Sequence, residues 1–146
     1  WHRCAEAYRT VITSVGSQRT AAARIAPWDM RDQSTFARMS FVGLGSLPFT
    51  YNDLGIAAAD DPRAALQRST TRTCTGPNAW DKVQARYVGR SNAFAATLCS
   101  TGTYQFEFVF GQRGIGIASE RFTLGADRFP RSPAWTSGYA ITVLDP

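Results

Sequence analysis

The sequence predicts an α+β domain in which one long N-terminal helix packs on a C-terminal antiparallel β-meander of about four to five strands. Apolar residues near the start of the 146-residue chain recur at spacings of three and four, which is the helical period. From residue 79 onward, apolar and polar residues alternate, as in strands with one buried face. Short turn signals separate the alternating runs, which favours antiparallel hairpins. Without an internal repeat or a linker, residues 1–146 fit a single domain.

The N-terminal helix is predicted over residues 3–26, where Pro27 ends it because proline cannot continue a helix. No Ser, Thr, Asp or Asn cap precedes the apolar stripe, so either the first turn frays or an N-terminal segment has been removed. The stripe is a candidate packing and assembly surface, with the members Ala5, Tyr8, Ile12, Val15 and Ala22.

The middle of the chain, residues 27–78, is predicted to be an irregular loop with one short strand at 36–42 and one short helix. The helix begins at Asp61-Pro62, because a carboxylate cap followed by proline at the first helical position is a typical start. It is predicted to end near Arg68, and a polar connection follows it.

The predicted sheet occupies residues 79–146. Its aromatic face is a ladder of four rings between residues 104 and 110, which we expect to form the core beneath the N-terminal helix. An exposed ladder of this kind is a base-stacking platform in single-strand binders, but the interleaved Gln105 and Glu107 favour the core interpretation. The predicted strands lie near residues 83–87, 94–98, 104–110, 115–124 and 139–144.

Three cysteines, Cys4, Cys74 and Cys99, are the basis for the predicted compartment. Three free thiols in an intracellular protein are one interpretation. The favoured one is a Cys74–Cys99 disulfide, which would stabilise the fold by roughly 3–4 kcal/mol and imply a periplasmic, cell-surface or secreted location. Cys4 is then either a free thiol or an intermolecular partner.

The net charge of +5 is scattered rather than clustered. Its arginines are interpreted first as solvated positions and second as weak contacts for a polyanion such as nucleic acid, with the candidates Arg19, Arg24, Arg31 and Arg38.

No motif predicts catalysis, a metal or a cofactor. The single histidine, His2, lies at the chain start, no Cys-x-x-Cys pair is present, and the glycines of residues 111–116 lack the spacing of a phosphate loop. No run of about 18 apolar residues occurs, so membrane attachment is expected only through a missing N-terminal segment.

A helix without its natural start, an irregular loop and an antiparallel meander with a nearby disulfide resemble the soluble domain of a type IV pilin or pseudopilin. The resemblance implies an extracytoplasmic subunit that self-assembles or joins a larger complex. Its helix would pack into a filament core and its sheet would face outward. The subunit would contribute to adhesion, secretion or DNA contact. Such a subunit is expected to lack a pocket and to expose its helix stripe.

Two other resemblances imply different roles. Helices followed by a curved meander are similar to the NTF2-like fold, which would imply a secretion-system component with a pocket between helix and sheet. The series Arg9, Ser69-Thr70-Thr71, Glu120 resembles the arginine, serine-threonine and glutamate series of the ADP-ribosyltransferase toxins. That resemblance would imply a secreted enzyme with a deep pocket lined by Arg9, Glu107 or Glu120.

Overall fold

The computed structural model describes residues 1–17, 39–57, 60–88, 93–125 and 141–144. In these ranges the chain is mostly helical, so the predicted helix on an antiparallel meander is wrong. The described elements are α1 (His2–Ser17), β1 (Met39–Gly43), α2 (Ser46–Asp53), α3 (Pro62–Cys74), α4 (Ala79–Arg86), α5 (Leu98–Val109), β2 (Phe122–Leu124) and β3 (Ile141–Leu144), with short 3₁₀ turns at Ala95–Thr97 and Ser119–Arg121.

The three strands form one mixed sheet in the order β2-β1-β3. β1 lies parallel to β2, with Phe41 opposite Phe122, and antiparallel to β3, with Met39 opposite Leu144. A parallel pair needs a long crossover rather than a hairpin, and helices α2 to α5 make that crossover. Strands therefore occur inside the predicted ranges 36–42, 115–124 and 139–144, but the middle range is strand only from Phe122 onward.

Helix α5 replaces the aromatic strand predicted at 104–110, and the strand predicted at 94–98 is a 3₁₀ turn leading into it. α1, α2 and α3 all pack against α5, so its buried residues are not confined to one stripe. A helix that is surrounded in this way loses its amphipathic period. Alternating aromatic residues on such a helix give the same sequence pattern as a strand, because the periodicity of a short apolar run is the same for both.

Helix α4 replaces the strand predicted at 83–87. Val83 and Tyr87 are both buried, whereas Ala85 between them is exposed. Residues four apart share a face in a helix and also in a strand. The residue that distinguishes the two is Ala85, which would be buried in a strand of this register.

Helix α3 begins where the sequence predicts. Asp61 Oδ1 accepts a hydrogen bond from the Ala64 amide at 2.7 Å, and Pro62 occupies the first turn. The helix continues past Arg68 to Cys74, because Thr70 and Thr73 of its second half are buried like the apolar residues of its first half.

Helix α2 lies in a stretch predicted to be loop. Pro48 falls in its first turn, where proline is tolerated because the early amides have no helical acceptor. Tyr51 and the following Leu54 enter the core, and the Tyr51 hydroxyl donates to the Pro62 carbonyl oxygen at 2.7 Å.

Helix α1 packs on α5 rather than on a sheet. Ala5 and Ile12 of the predicted stripe are buried, and the Tyr8 ring lies 5.5 Å from the Tyr104 ring, centroid to centroid. The described part of the helix ends at Ser17, short of the predicted residue 26. The Val15 side chain, Ala22 and the candidate arginines Arg19, Arg24, Arg31 and Arg38 lie outside the described residues.

The predicted disulfide is present. Cys74, the last residue of α3, is bonded to Cys99 in the first turn of α5, with their Cα atoms 5.6 Å apart. Cys4 is an exposed free thiol. The bond ties together two helices that also pack directly on each other.

Candidate binding cleft

An open cleft of about 580 Å³ lies between α2 and residues that follow α4 or lie at and just before the start of α5. Its volume is within the range of small-molecule sites, which is roughly 300–1,000 Å³. Of the residues that the structure describes, those lining it are Ser46, Phe49, Thr50, Asn52, Asp53, Tyr87, Phe94, Thr97, Leu98 and Thr101.

The cleft has two walls, and α2 forms the whole of the first. α2 is tied to its surroundings at both ends. Gln105 Nε2 of α5 donates to Ser46 Oγ at 3.1 Å, and the Tyr87 hydroxyl donates to Asp53 Oδ2 at 2.8 Å. The first bond fixes the start of α2 to the body of α5, and the second fixes its end to the second wall, whose described lining residues are Tyr87, Phe94, Thr97, Leu98 and Thr101.

Two phenylalanine rings of the cleft are largely open to solvent. Phe49 on α2 is 67% exposed, and Phe94 on the second wall is 68% exposed. Burying a side chain of this size is worth about 1.5–3 kcal/mol, and neither ring contributes that stabilisation to folding. Exposed apolar groups gathered at a concave surface are typical of binding sites.

The polar groups of the cleft are few and mostly uncharged. They include the Thr97 and Thr101 hydroxyls and the Asn52 amide. Among the described residues of the lining, Asp53 is the only charged one and none is Lys, Arg or His, although the chain as a whole carries a net charge of +5. This described lining is mostly apolar and suits an uncharged apolar molecule.

The residues of the predicted toxin series do not line this cleft. Arg9 is instead engaged by Glu107: Arg9 Nε donates to Glu107 Oε2 at 2.9 Å, and Arg9 Nη2 donates to Glu107 Oε1 at 2.8 Å. This hydrogen bonding to Glu107 raises the pKa of Arg9, against a smaller lowering by burial. Ser69 and Thr70 are buried in α3, and Glu120 is exposed in a 3₁₀ turn. The structure therefore joins Arg9 to Glu107 as a structural ion pair between α1 and α5.

None of the cleft residues was a candidate from sequence. Phe49 fell in a predicted loop and Phe94 in a predicted strand. No signal in the sequence separates these two phenylalanines from core residues, because their exposure depends on the helix and the turn in which the structure places them.

Comparison with known proteins gives no relative: no protein-family model, curated protein or solved structure matches the chain. Within the described ranges, no helix is both long and apolar enough to cross a membrane. The same part of the chain holds no group of three or more His, Cys, Asp or Glu side chains placed to bind a metal ion.

Proposed function

We propose that this chain is an extracytoplasmic binding protein whose cleft takes an uncharged, ring-bearing apolar molecule. The observation that supports the proposal most directly is the pair of exposed phenylalanine rings, Phe49 and Phe94, in opposite walls of one cleft. The disulfide supports the compartment, because such bonds persist in oxidising environments.

The expected affinity is moderate. Contact of a ligand ring with an aromatic side chain is worth about 0.5–1.5 kcal/mol beyond the area that it buries. Covering Phe49 and Phe94 adds hydrophobic free energy, from which the cost of immobilising the ligand is subtracted. A micromolar dissociation constant corresponds to about 8 kcal/mol, and a two-ring ligand reaches it only if burial of its own apolar surface adds to these contributions.

The test uses two fluorescent probes with the same skeleton. N-phenyl-1-naphthylamine is uncharged, and 8-anilinonaphthalene-1-sulfonate adds one sulfonate to it. We expect the uncharged probe to bind more tightly, by about fivefold to tenfold, because the described lining contains the Asp53 carboxylate, which repels a sulfonate, and no basic residue within that described set. Asp53→Asn keeps an acceptor for the Tyr87 hydroxyl and should narrow the difference between the probes.

Alanine variants locate the binding site. Phe49→Ala and Phe94→Ala should each weaken N-phenyl-1-naphthylamine binding by about tenfold, since each removes one ring face. Trp80→Ala is the matched control, because Trp80 is an aromatic residue that is 52% exposed but does not line the cleft. Equal loss of binding in all three variants, or no loss in either phenylalanine variant, would refute the proposed site.

The assembly role implied by the pilin resemblance stays a prediction. It calls for an exposed apolar stripe on α1, whereas Ala5 and Ile12 of that stripe are buried in the chain itself. Measurement of the molar mass in solution over a range of concentrations tests it independently of the cleft.

A further inference from the structure

A second, smaller pocket of about 210 Å³ is formed by the end of β1, the start of α2, the second half of α5 and the chain that follows α5 up to β2. Among the described residues, Ser46 is the only one that lines both this pocket and the cleft. An apolar cavity of about 150 Å³ is large enough to take up benzene. The pocket therefore has room for one aromatic ring that carries a small substituent.

The described walls of this pocket are mostly apolar. Val109, Ile117 and Phe122 are buried and form part of them. Tyr104 and Phe108 add two stacked rings, whose centroids lie 5.6 Å apart at an interplanar angle of 18°. Aromatic side chains pack favourably on a ligand ring in offset-stacked and edge-on arrangements, so this lining favours an aromatic ligand.

One polar group in the wall has a hydrogen-bonding capacity that the described residues do not use. Gln105 lines the pocket with only 4% of its surface exposed, and its Nε2 donates to Ser46 Oγ at 3.1 Å. The amide oxygen Oε1 is buried and accepts no hydrogen bond from any residue that the structure describes. Buried polar atoms are nearly always hydrogen-bonded. An acceptor of this kind in an apolar wall is suited to an N–H or O–H group of a ligand.

We infer that this pocket is a second ligand site, which binds a single aromatic ring bearing a hydroxyl or N–H group. The ring would contact the apolar walls, and its donor would bond to Gln105 Oε1. Phenol is the simplest compound of this class. The inference does not rest on the proposed function, because the described linings of the pocket and the cleft have only Ser46 in common.

The test compares phenol with toluene, which has the same shape but a methyl group in place of the hydroxyl. Their dissociation constants are measured for the wild type and for Gln105→Met, which keeps the length of the side chain and removes Oε1. The ratio of the toluene constant to the phenol constant should fall by about threefold to tenfold in the variant, as expected for loss of one neutral hydrogen bond. Comparing ratios cancels the difference in hydration between the two probes.

Two variants serve as controls. Ser46→Ala breaks the same hydrogen bond to Gln105 Nε2 but keeps Oε1, so its ratio should stay close to that of the wild type. Phe94→Ala alters the cleft alone, because Phe94 is not part of the described lining of this pocket. It should leave phenol affinity unchanged.

Nuclear magnetic resonance of the isotopically labelled wild type locates the phenol without any substitution. The backbone amide signals of Leu44, Val109 and Ile117 should shift as phenol is added, whereas those of Phe49 and Asn52 in the cleft should not. This measurement decides the location even if Gln105→Met does not fold.

Shifts confined to the pocket, together with a ratio that falls in Gln105→Met but not in Ser46→Ala, would support the site. The inference is overturned if phenol shifts no pocket signal, or shifts the cleft signals instead. It is also overturned if the ratio is the same in Gln105→Met as in the wild type. An equal fall in Ser46→Ala overturns it as well, because the bond between Gln105 and Ser46 would then account for the preference. None of these results bears on binding of N-phenyl-1-naphthylamine in the cleft.

Discussion

Replacement of Arg9 by methionine is the most informative test of how α1 is held on α5. Arg9 makes two hydrogen bonds to Glu107, at 2.9 and 2.8 Å, and the Glu107 side chain is only 3% exposed. Arg9→Met keeps the aliphatic stem of the side chain but leaves the carboxylate buried without its cation. The variant therefore measures the charge and its hydrogen bonds rather than the packing of the stem.

The magnitude follows from the burial of the two partners. Removing one partner of a fully buried ion pair costs about 3–5 kcal/mol. The Arg9 side chain is 37% exposed, so water screens part of this interaction. We expect Arg9→Met to lower the free energy of unfolding by about 2–3 kcal/mol, which lies between the buried and surface limits.

Urea denaturation followed by circular dichroism measures this loss. Arg113→Met is the control, because Arg113 approaches Glu6 at 3.7 Å with both side chains more than half exposed, and such a pair is worth about 0–1 kcal/mol. Adding Glu107→Gln to Arg9→Met should recover part of the loss, since the buried group is then neutral. A cost for Arg9→Met no larger than that of the control would refute the ion pair as the anchor of α1.

Three further predictions concern stability. Ile12→Ala should lower the free energy of unfolding by about 2–4 kcal/mol in urea titration, because the aliphatic side chain that it truncates is buried, with 5% of its surface exposed. Gly102→Ala should destabilise by about 1–3 kcal/mol despite the better helix propensity of alanine, since its Cβ would meet Thr70 Oγ1 at 2.8 Å, and Thr70→Ala in the same chain should relieve the loss. Asp61→Ala should cost about 1 kcal/mol near neutral pH by removing the cap on the Ala64 amide. Hydrogen bonds to the carboxylate, that of Ala64 first, lower the pKa of Asp61. The stabilisation is therefore present above the unfolded-state pKa and is lost as the pH falls through the folded-state pKa, so thermal melts of wild type and variant should converge in acid.

The features that the sequence predicts correctly are those decided by local chemistry. The start of α3 depends on Asp61 and Pro62, which act on the amides of their own first turn. The disulfide follows from the positions of only three cysteines, and the strand β1 from a short apolar run. In each case the residues that determine the feature are close in sequence or few in number, so the feature can be predicted without knowing the surrounding fold.

The features that the sequence predicts wrongly depend on how many other helices or strands pack against a given helix. The aromatic residues of α5 alternate because the helix packs against α1, α2 and α3 at once. A sheet with one covered face produces the same alternation, and nothing within the segment itself separates the two cases. The predicted partner of α1, a meander, is therefore wrong as well, because α1 packs on α5 itself.

The cleft lay beyond prediction for a different reason. Its described walls come from α2, for which Pro48 and Asn52 predict a loop, and from residues between Tyr87 and Thr101, for which the sequence predicts the strands 83–87 and 94–98 and a turn after the second. An exposed Phe49 is informative only when its surroundings are known, because an isolated surface phenylalanine is ordinary. The site becomes visible when Phe94 is found facing the same cavity from a distant part of the chain.

The two hydrogen bonds at the ends of α2 explain why this cavity persists instead of collapsing. Apolar walls separated by water gain free energy by closing on each other, and Phe49 and Phe94 would gain it here. Closure of the cleft requires α2 to shift. Such a shift breaks the hydrogen bond between Ser46 and Gln105 at one end of the helix or the hydrogen bond between Asp53 and Tyr87 at the other. Gln105 and Tyr87 are both buried, and a buried polar group that loses its partner costs about 1–3 kcal/mol. The hydrogen bonds at the two ends of α2 therefore oppose hydrophobic closure of the cleft between them. A ligand that covers the Phe49 and Phe94 rings gains the hydrophobic free energy that the empty cleft does not.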